Sequence, residues 1–272
     1  MPNHPTLAPP TWLRQAALLA ALLLCALAAR AQPAPQVVDI PTRPGVTQRF
    51  LFLAPAQPRA AVILYAGGHG GLHIYPNGSF AWGAGNFLVR ARQLFVDNGL
   101  AVAVIDAPSD HLSWPFLSGF RLSPEHAEDT RAVIAWMRSH TGLPVWLVGP
   151  SRGTQSVAAT AIRLADGGGP DGIVLTSTIL RDDRGRPVPA MDLDRLKVPV
   201  LVIHHEHDDC KQCPFGEVQG LMDKLVKTPE AGVIKFDGGN NVGDPCEAMA
   251  YHGFNGIEPQ VVQAIARWMA QR

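Results

Sequence analysis

The chain predicts one α/β domain built on a doubly wound, mostly parallel sheet, with no large separate lid domain. Three observations carry this expectation. Short β-branched runs alternate with longer amphipathic stretches along most of the chain. Most of the short runs are apolar throughout, as strands covered on both faces of a parallel sheet must be. Finally, the 272 residues are 47% hydrophobic and 17% charged, which is enough apolar material for a substantial core.

The first residues read as an address. Arg14 precedes an uncharged apolar run from Ala16 to Ala29, and Ala29-Arg30-Ala31 places small residues where a signal peptidase reads. Residues 1–31 are therefore expected to be a signal peptide cleaved near Ala31, giving an exported protein with no stable membrane insertion. An uncleaved anchor is the alternative, but the run is short for a bilayer span of roughly 20 residues. A lipoprotein reading at Cys25 meets the large Leu24 where a small residue is needed. Residues 32–45, rich in Pro, are expected to be an irregular lead-in, and residues 46–272 the domain proper.

Within that domain Ala61–Tyr65, Leu100–Ile105, Val145–Val148, Gly172–Thr176, Val198–Ile203 and Val233–Phe236 read as strands. Helices are expected from Asn86 to Asp97, stopped by Asn98-Gly99, and from Ser123 to Ser139, opened by the N-cap and first-turn pattern Ser-Pro-Glu. Two more should run from Ser151 to Ala165 and from Glu258 to Gln271. The charged, Pro- and Gly-containing stretch from Ile179 to Leu196 reads as an excursion above the sheet.

Lys plus Arg and Asp plus Glu both number 23, with no basic block, which argues against a nucleic-acid partner. Removing the leader takes away Arg14 and Arg30 and no acid, so the balance stays near neutral.

The most informative motif is Gly149-Pro150-Ser151-Arg152-Gly153, between a buried strand and a helix. A sharp strand-to-helix turn exposes the serine oxygen near the positive end of the helix, and the small flanking residues permit close backbone approach. Helix capping by Ser151 is the structural alternative. In this setting the chain resembles the α/β-hydrolase superfamily over essentially its whole length beyond the leader. The resemblance implies a sheet of about eight strands, a nucleophilic Ser151, and the chain order serine, acid, histidine.

That order directs attention to two later loops. After the strand ending at Ile203 comes His204-His205-Glu206-His207-Asp208-Asp209-Cys210, similar to the His-Gly-x-x-Asp of the superfamily, with His205 replacing glycine. Asp208 is the expected acid, with Asp209, and more remotely Asp182 or Asp183, as alternatives. Tyr251-His252-Gly253-Phe254, before the last helix, makes His252 the expected base. The oxyanion donors implied are the Arg152 amide and the Gly68 amide of Ala66-Gly67-Gly68-His69-Gly70-Gly71, with His69 as the alternative. No P-loop ending accompanies this Gly-rich loop, and no cofactor is expected.

Beyond the leader lie Cys210, Cys213 and Cys246. Because the acid and base loops must converge, a Cys210–Cys246 disulfide is preferred. Cys213–Cys246 and Cys210–Cys213 remain open. The residues His204, His205, His207, Asp208, Cys210 and Cys213 could bind zinc, but their spacing matches no closed zinc motif, so no metal is expected.

The triad pattern implies acyl transfer to water. His69, Trp114 and Phe116 are expected to help bind substrate, with Trp82 and Phe120 as further aromatics of the same surroundings; plain packing of the loop is the alternative. Without a long apolar lid, a small or medium soluble ester or short acyl compound is the expected substrate. A serine peptidase of the same fold, or a catalytically silent binding protein, are the competing readings.

Overall fold

The computed structural model describes residues 34–183 and 185–272. The expected leader, its cleavage site and Cys25 lie outside these residues.

Eight strands form one sheet: β1 (Gln36–Arg43), β2 (Val46–Leu53), β3 (Ala60–Leu64), β4 (Leu100–Ile105), β5 (Val145–Ser151), β6 (Gly172–Thr178), β7 (Val200–His205) and β8 (Ala231–Phe236). Their order across the sheet is β1-β2-β4-β3-β5-β6-β7-β8. Strands β3 to β8 run parallel, whereas β1 pairs antiparallel with β2, and β2 with β4. The apolar runs of β3 and β4 are buried along their full length, and edge strand β8 alternates between exposed and half-buried residues. This is the contrast expected between interior and edge positions.

The expected irregular lead-in is corrected. Its residues from Gln36 to Arg43 form β1, so the domain begins before residue 46. Pro35, Pro41 and Pro44 obscured the strand. Proline is tolerated there because β1 lies at the sheet edge, and the register shifts between Pro41 and Arg43. Strand β2 also escaped the sequence reading.

Helices cover both faces. On one lie α1 (Phe87–Arg90), α2 (Arg92–Asp97) and α6 (Glu258–Met269), packed on Val62, Leu64, Val102 and Val104. On the other lie α3 (Pro124–Thr141) and α4 (Gly153–Arg163), packed on Ala61, Ile63, Ala101 and Ala103. Alternate residues of one strand thus feed opposite cores. The single helix expected from Asn86 to Asp97 is two, separated by Ala91, while α3 is capped as expected, with Ser123 Oγ accepting from the His126 amide at 3.0 Å. A short helix α5 (Val218–Met222) follows β7. Between β6 and β7 the described residues hold only two single-turn 3-10 segments, Val188–Ala190 and Leu193–Arg195, and no lid domain. None of the described helices is long and apolar enough to cross a membrane.

Candidate active site

Strand β5 runs straight into Ser151, whose φ of 50° lies in the left-handed region, and α4 begins two residues later. A side chain there adopts such a backbone only when its surroundings enforce it. Main-chain crowding supplies the constraint. A Cβ at Gly149 would stand 2.5 Å from the Gly153 carbonyl oxygen, and one at Gly153 would stand 3.2 Å from the Ala66 carbonyl oxygen. The turn is held further by Thr154, whose hydroxyl donates to the Ser151 carbonyl at 2.6 Å and accepts from the Ile179 amide at 3.2 Å.

Asp208 and His252, 44 residues apart in the chain, meet beneath the same pocket. His252 Nδ1 and Asp208 Oδ2 are 2.9 Å apart, with both side chains at least 95% buried. The other carboxylate oxygen, Asp208 Oδ1, accepts from the Cys210 amide at 3.0 Å. The bond to Asp208 places the ring proton on Nδ1 and leaves Nε2, buried and without a hydrogen-bond partner, as the acceptor. The rival acids are elsewhere. Asp209 is exposed, and Asp182 is paired with the Arg152 guanidinium at 2.8 Å and accepts from Gln155 Nε2 at 2.8 Å.

A pocket of about 240 Å³ gathers Ser151, Arg152, His252, Gly67, Gly68 and Trp82 along its wall. The Cβ position of Gly67 lies 3.4 Å from Ser151 Cβ, so the Gly-rich loop stands directly beside the serine. Among the described residues, the Gly68 and Arg152 amides have no protein acceptor.

The aromatic rings stand in different places. His69 is sandwiched, with its ring centroid 3.6 Å from Trp82 and 4.3 Å from Phe116. Burial and the Arg121 charge lower its basicity. Of the three rings, it is Trp82 that lines the serine pocket, because the other two lie behind it. Trp114, 78% exposed, belongs to a neighbouring cavity of about 300 Å³ that shares Arg152 with the first.

Two supporting residues had no motif to announce them. Arg121 is buried, and its guanidinium donates to the carbonyls of Ala66 (3.2 Å) and Gly68 (3.0 Å) and to Ser156 Oγ (2.8 Å), fixing two peptide planes of the Gly-rich loop. Burial lowers its pKa to about 9, so it stays charged at neutral pH. The Asp106 carboxylate accepts from the amides of Leu72, His73, Ile74 and Ala107 at 2.7–3.1 Å and pins the continuation of that loop to the end of β4.

The histidine-rich run does not gather around one point. His204 Nε2 accepts from the Thr178 amide at 2.7 Å, and burial pushes its pKa down to about 4, so it is neutral. His205 accepts from the His207 amide at 3.1 Å, lies 2.8 Å from the Gly238 carbonyl, and stacks on Tyr251 at 4.3 Å. His207 is exposed. Ser177, at φ 45°, donates to the His252 carbonyl at 2.7 Å. Ser177 thus holds the main chain at His252, and His205 packs against the preceding Tyr251. Cys210 and Cys246 form a disulfide, the preferred pairing, and Cys213 is a free buried thiol.

No family model matches the chain, and no curated protein matches it. Solved structures do. A dienelactone hydrolase from Anabaena variabilis superimposes with a TM-score of 0.60 at 16% identity, covering 89% of this chain and 99% of that one. A serine hydrolase without a lid from Xanthomonas campestris gives 0.56 at 17% identity, covering 88% and 95%. A candidate dipeptidyl aminopeptidase IV from Bacteroides ovatus gives 0.62 at 16% identity, covering 90% of this chain and 36% of that one. At these identities the likeness establishes the architecture of the sheet and its helices, which is the α/β-hydrolase fold.

Proposed function

We propose that this chain of α/β-hydrolase fold is an exported serine hydrolase that cleaves a carboxylic ester of a small or medium soluble substrate. The observation that carries the reading is the buried Asp208–His252 pair, with Nε2 unpartnered, below a pocket whose wall also holds Ser151 on a strained turn. Ser151 Oγ attacks the acyl carbon while His252 Nε2 takes its proton, and Asp208 holds the ring in that tautomer and stabilises the imidazolium that forms. The tetrahedral oxyanion is received by the Gly68 and Arg152 amides, and the positive end of α4 adds to their field. His252 then returns the proton to the leaving alcohol, and water repeats the cycle on the acyl-enzyme. The support for ester over amide is that several solved structures of this fold are named as esterases or as a dienelactone hydrolase. The leader pattern and the Cys210–Cys246 bond are the support for export.

The test is labelling with a fluorophosphonate probe, followed by a panel of p-nitrophenyl esters and aminoacyl amides. Wild type should label, and Ser151→Ala should lose labelling together with about 10³-fold or more of ester turnover. Failure of wild type to label overturns the mechanism. Amide turnover exceeding ester turnover overturns the substrate class in favour of a peptidase.

A further inference from the structure

Cys213 is fully buried, three residues beyond Cys210, and its amide donates to the Cys210 carbonyl at 2.9 Å, so both sulfurs sit on one turn. The Cys213 sulfur, the Cys210 sulfur and a ring nitrogen of His252 all lie within 4.8 Å of one another. With Cys210 already bonded to Cys246, this is a free thiol, a disulfide and a base in one enclosed cluster. The mechanism proposed above has no use for the thiol. Ile179 closes the cluster on its apolar side.

What the disulfide holds is equally specific. From Asp237 to Met249 every residue is exposed except Cys246 and Ala248, which are half-buried. His252 follows Cys246 by six residues, so the bond to Cys210 is the one covalent anchor of the segment that delivers the base.

We propose that Cys213 is the resolving thiol of a built-in disulfide exchange, moving the bond from Cys210–Cys246 to Cys210–Cys213 and so untying the loop that carries His252. The Cys213 proton passes to His252, and the thiolate sulfur bonds to Cys210 Sγ. The Cys210–Cys246 bond breaks, and its electron pair leaves on Cys246 Sγ, which recovers the proton. Nothing is oxidised or reduced overall, and no outside reagent is needed. The product frees Cys246 at the rim of the serine pocket and removes the anchor of the base. Burial and then the Asp208 charge hold the Cys213 thiol well up; Asp182 adds to this and Arg152 opposes it. The exchange is therefore slow at neutral pH and quickens as pH rises.

The oxidised full chain is held without added thiol at about pH 6 and about pH 9, then quenched into acidic urea with excess N-ethylmaleimide and mapped by peptide mass spectrometry. Setting aside Cys25, the label should sit on Cys213 at the lower pH. At the higher pH it should move to Cys246 at a rate independent of protein concentration, with ester turnover falling by the same fraction. Cys213→Ser, or Cys213→Ala should the first variant fold poorly, should keep the Cys210–Cys246 bond and full turnover at both values. A label that stays on Cys213 overturns the proposal, as does one that appears on Cys210 or moves faster at higher protein concentration. The activity readout rests on the role assigned to His252, but the label map does not, so the two proposals fail separately.

Discussion

The serine and the histidine of the candidate site are held in opposite ways. Ser151 sits where a buried strand meets a helix, and its strained turn is enforced by main chain on main chain: Gly149 against Gly153, and Gly153 against Ala66. His252 ends an exposed loop fastened by separate contacts. These are the Cys210–Cys246 bond, the Ser177 hydroxyl on the His252 carbonyl, the Arg90 guanidinium on the Gly253 carbonyl at 2.7 Å, and His205 against Gly238 and Tyr251. Backbone packing inside the core cannot relax without disturbing the sheet, whereas a loop pinned at points can lose one pin and stay folded. Damage on the serine side should therefore appear as lost stability, and damage on the histidine side as lost turnover in a folded protein.

Gly149→Ala strikes the first side hardest. Its new Cβ would press on the Gly153 backbone at 2.5 Å and on buried Val157 Cγ2 at 2.8 Å, so the variant should lose about 3 kcal/mol, read as a lower urea midpoint at unchanged m-value. A midpoint equal to wild type would mean that the elbow relaxes freely and would break the comparison.

Gly253→Ala is the matched lesion on the second side. Its Cβ would collide with the Ala248 carbonyl oxygen, but that neighbour belongs to the exposed loop and can move. The expected result is a kcat down by as much as ~10²-fold, as an ångström of misplacement can cause, with stability within about 1 kcal/mol of wild type. Collapse of the fold with this variant would show that the histidine loop is as integral to the core as the elbow.

A urea titration against pH also separates the two sides. His204 supports the histidine side. His126 packs against Tyr65, just before the Gly-rich loop, with both ring nitrogens unpartnered. Burial lowers His204 to about 4; burial, with the Arg121, His111 and Arg43 charges, lowers His126 to about 3. Both folded values lie below the unfolded value of about 6.5. Over that interval the unfolded chain binds more protons, so stability falls as pH drops from about 6.5 toward 4, by up to about 1.4 kcal/mol per pH unit for each residue. His126→Leu should remove its share of this acid slope in urea titrations and leave kcat unchanged. An unaltered slope would assign the acid sensitivity elsewhere.

Much of this arrangement was legible beforehand. Apolar runs such as Leu100–Ile105 mark buried strands because a parallel interior strand must be apolar on both faces. Ser151 and His252 stand in local patterns of small neighbours that follow from the tightness of their turns. Strand β1 was hidden because prolines read as irregular when the strand's edge position is unknown. Trp114 and Phe116 were expected to touch substrate because they are large and near the carboxyl ends of strands. Sequence distance does not tell which ring faces the serine pocket and which a neighbouring cavity.

By itself the sequence determined the alternation of strands and helices and the strand-to-helix turn at Ser151, since periodicity and turn chemistry are properties of neighbouring residues. Tertiary structure alone decided that Asp208 rather than Asp209 or Asp182 is bonded to His252. It likewise decided that Arg121 and Asp106 brace the Gly-rich loop, and that Cys213 lies against the Cys210–Cys246 bond and the imidazole. Each of these is a distance between side chains from different loops. Such distances are set by how the sheet twists and its loops converge, and nothing along the chain encodes them locally.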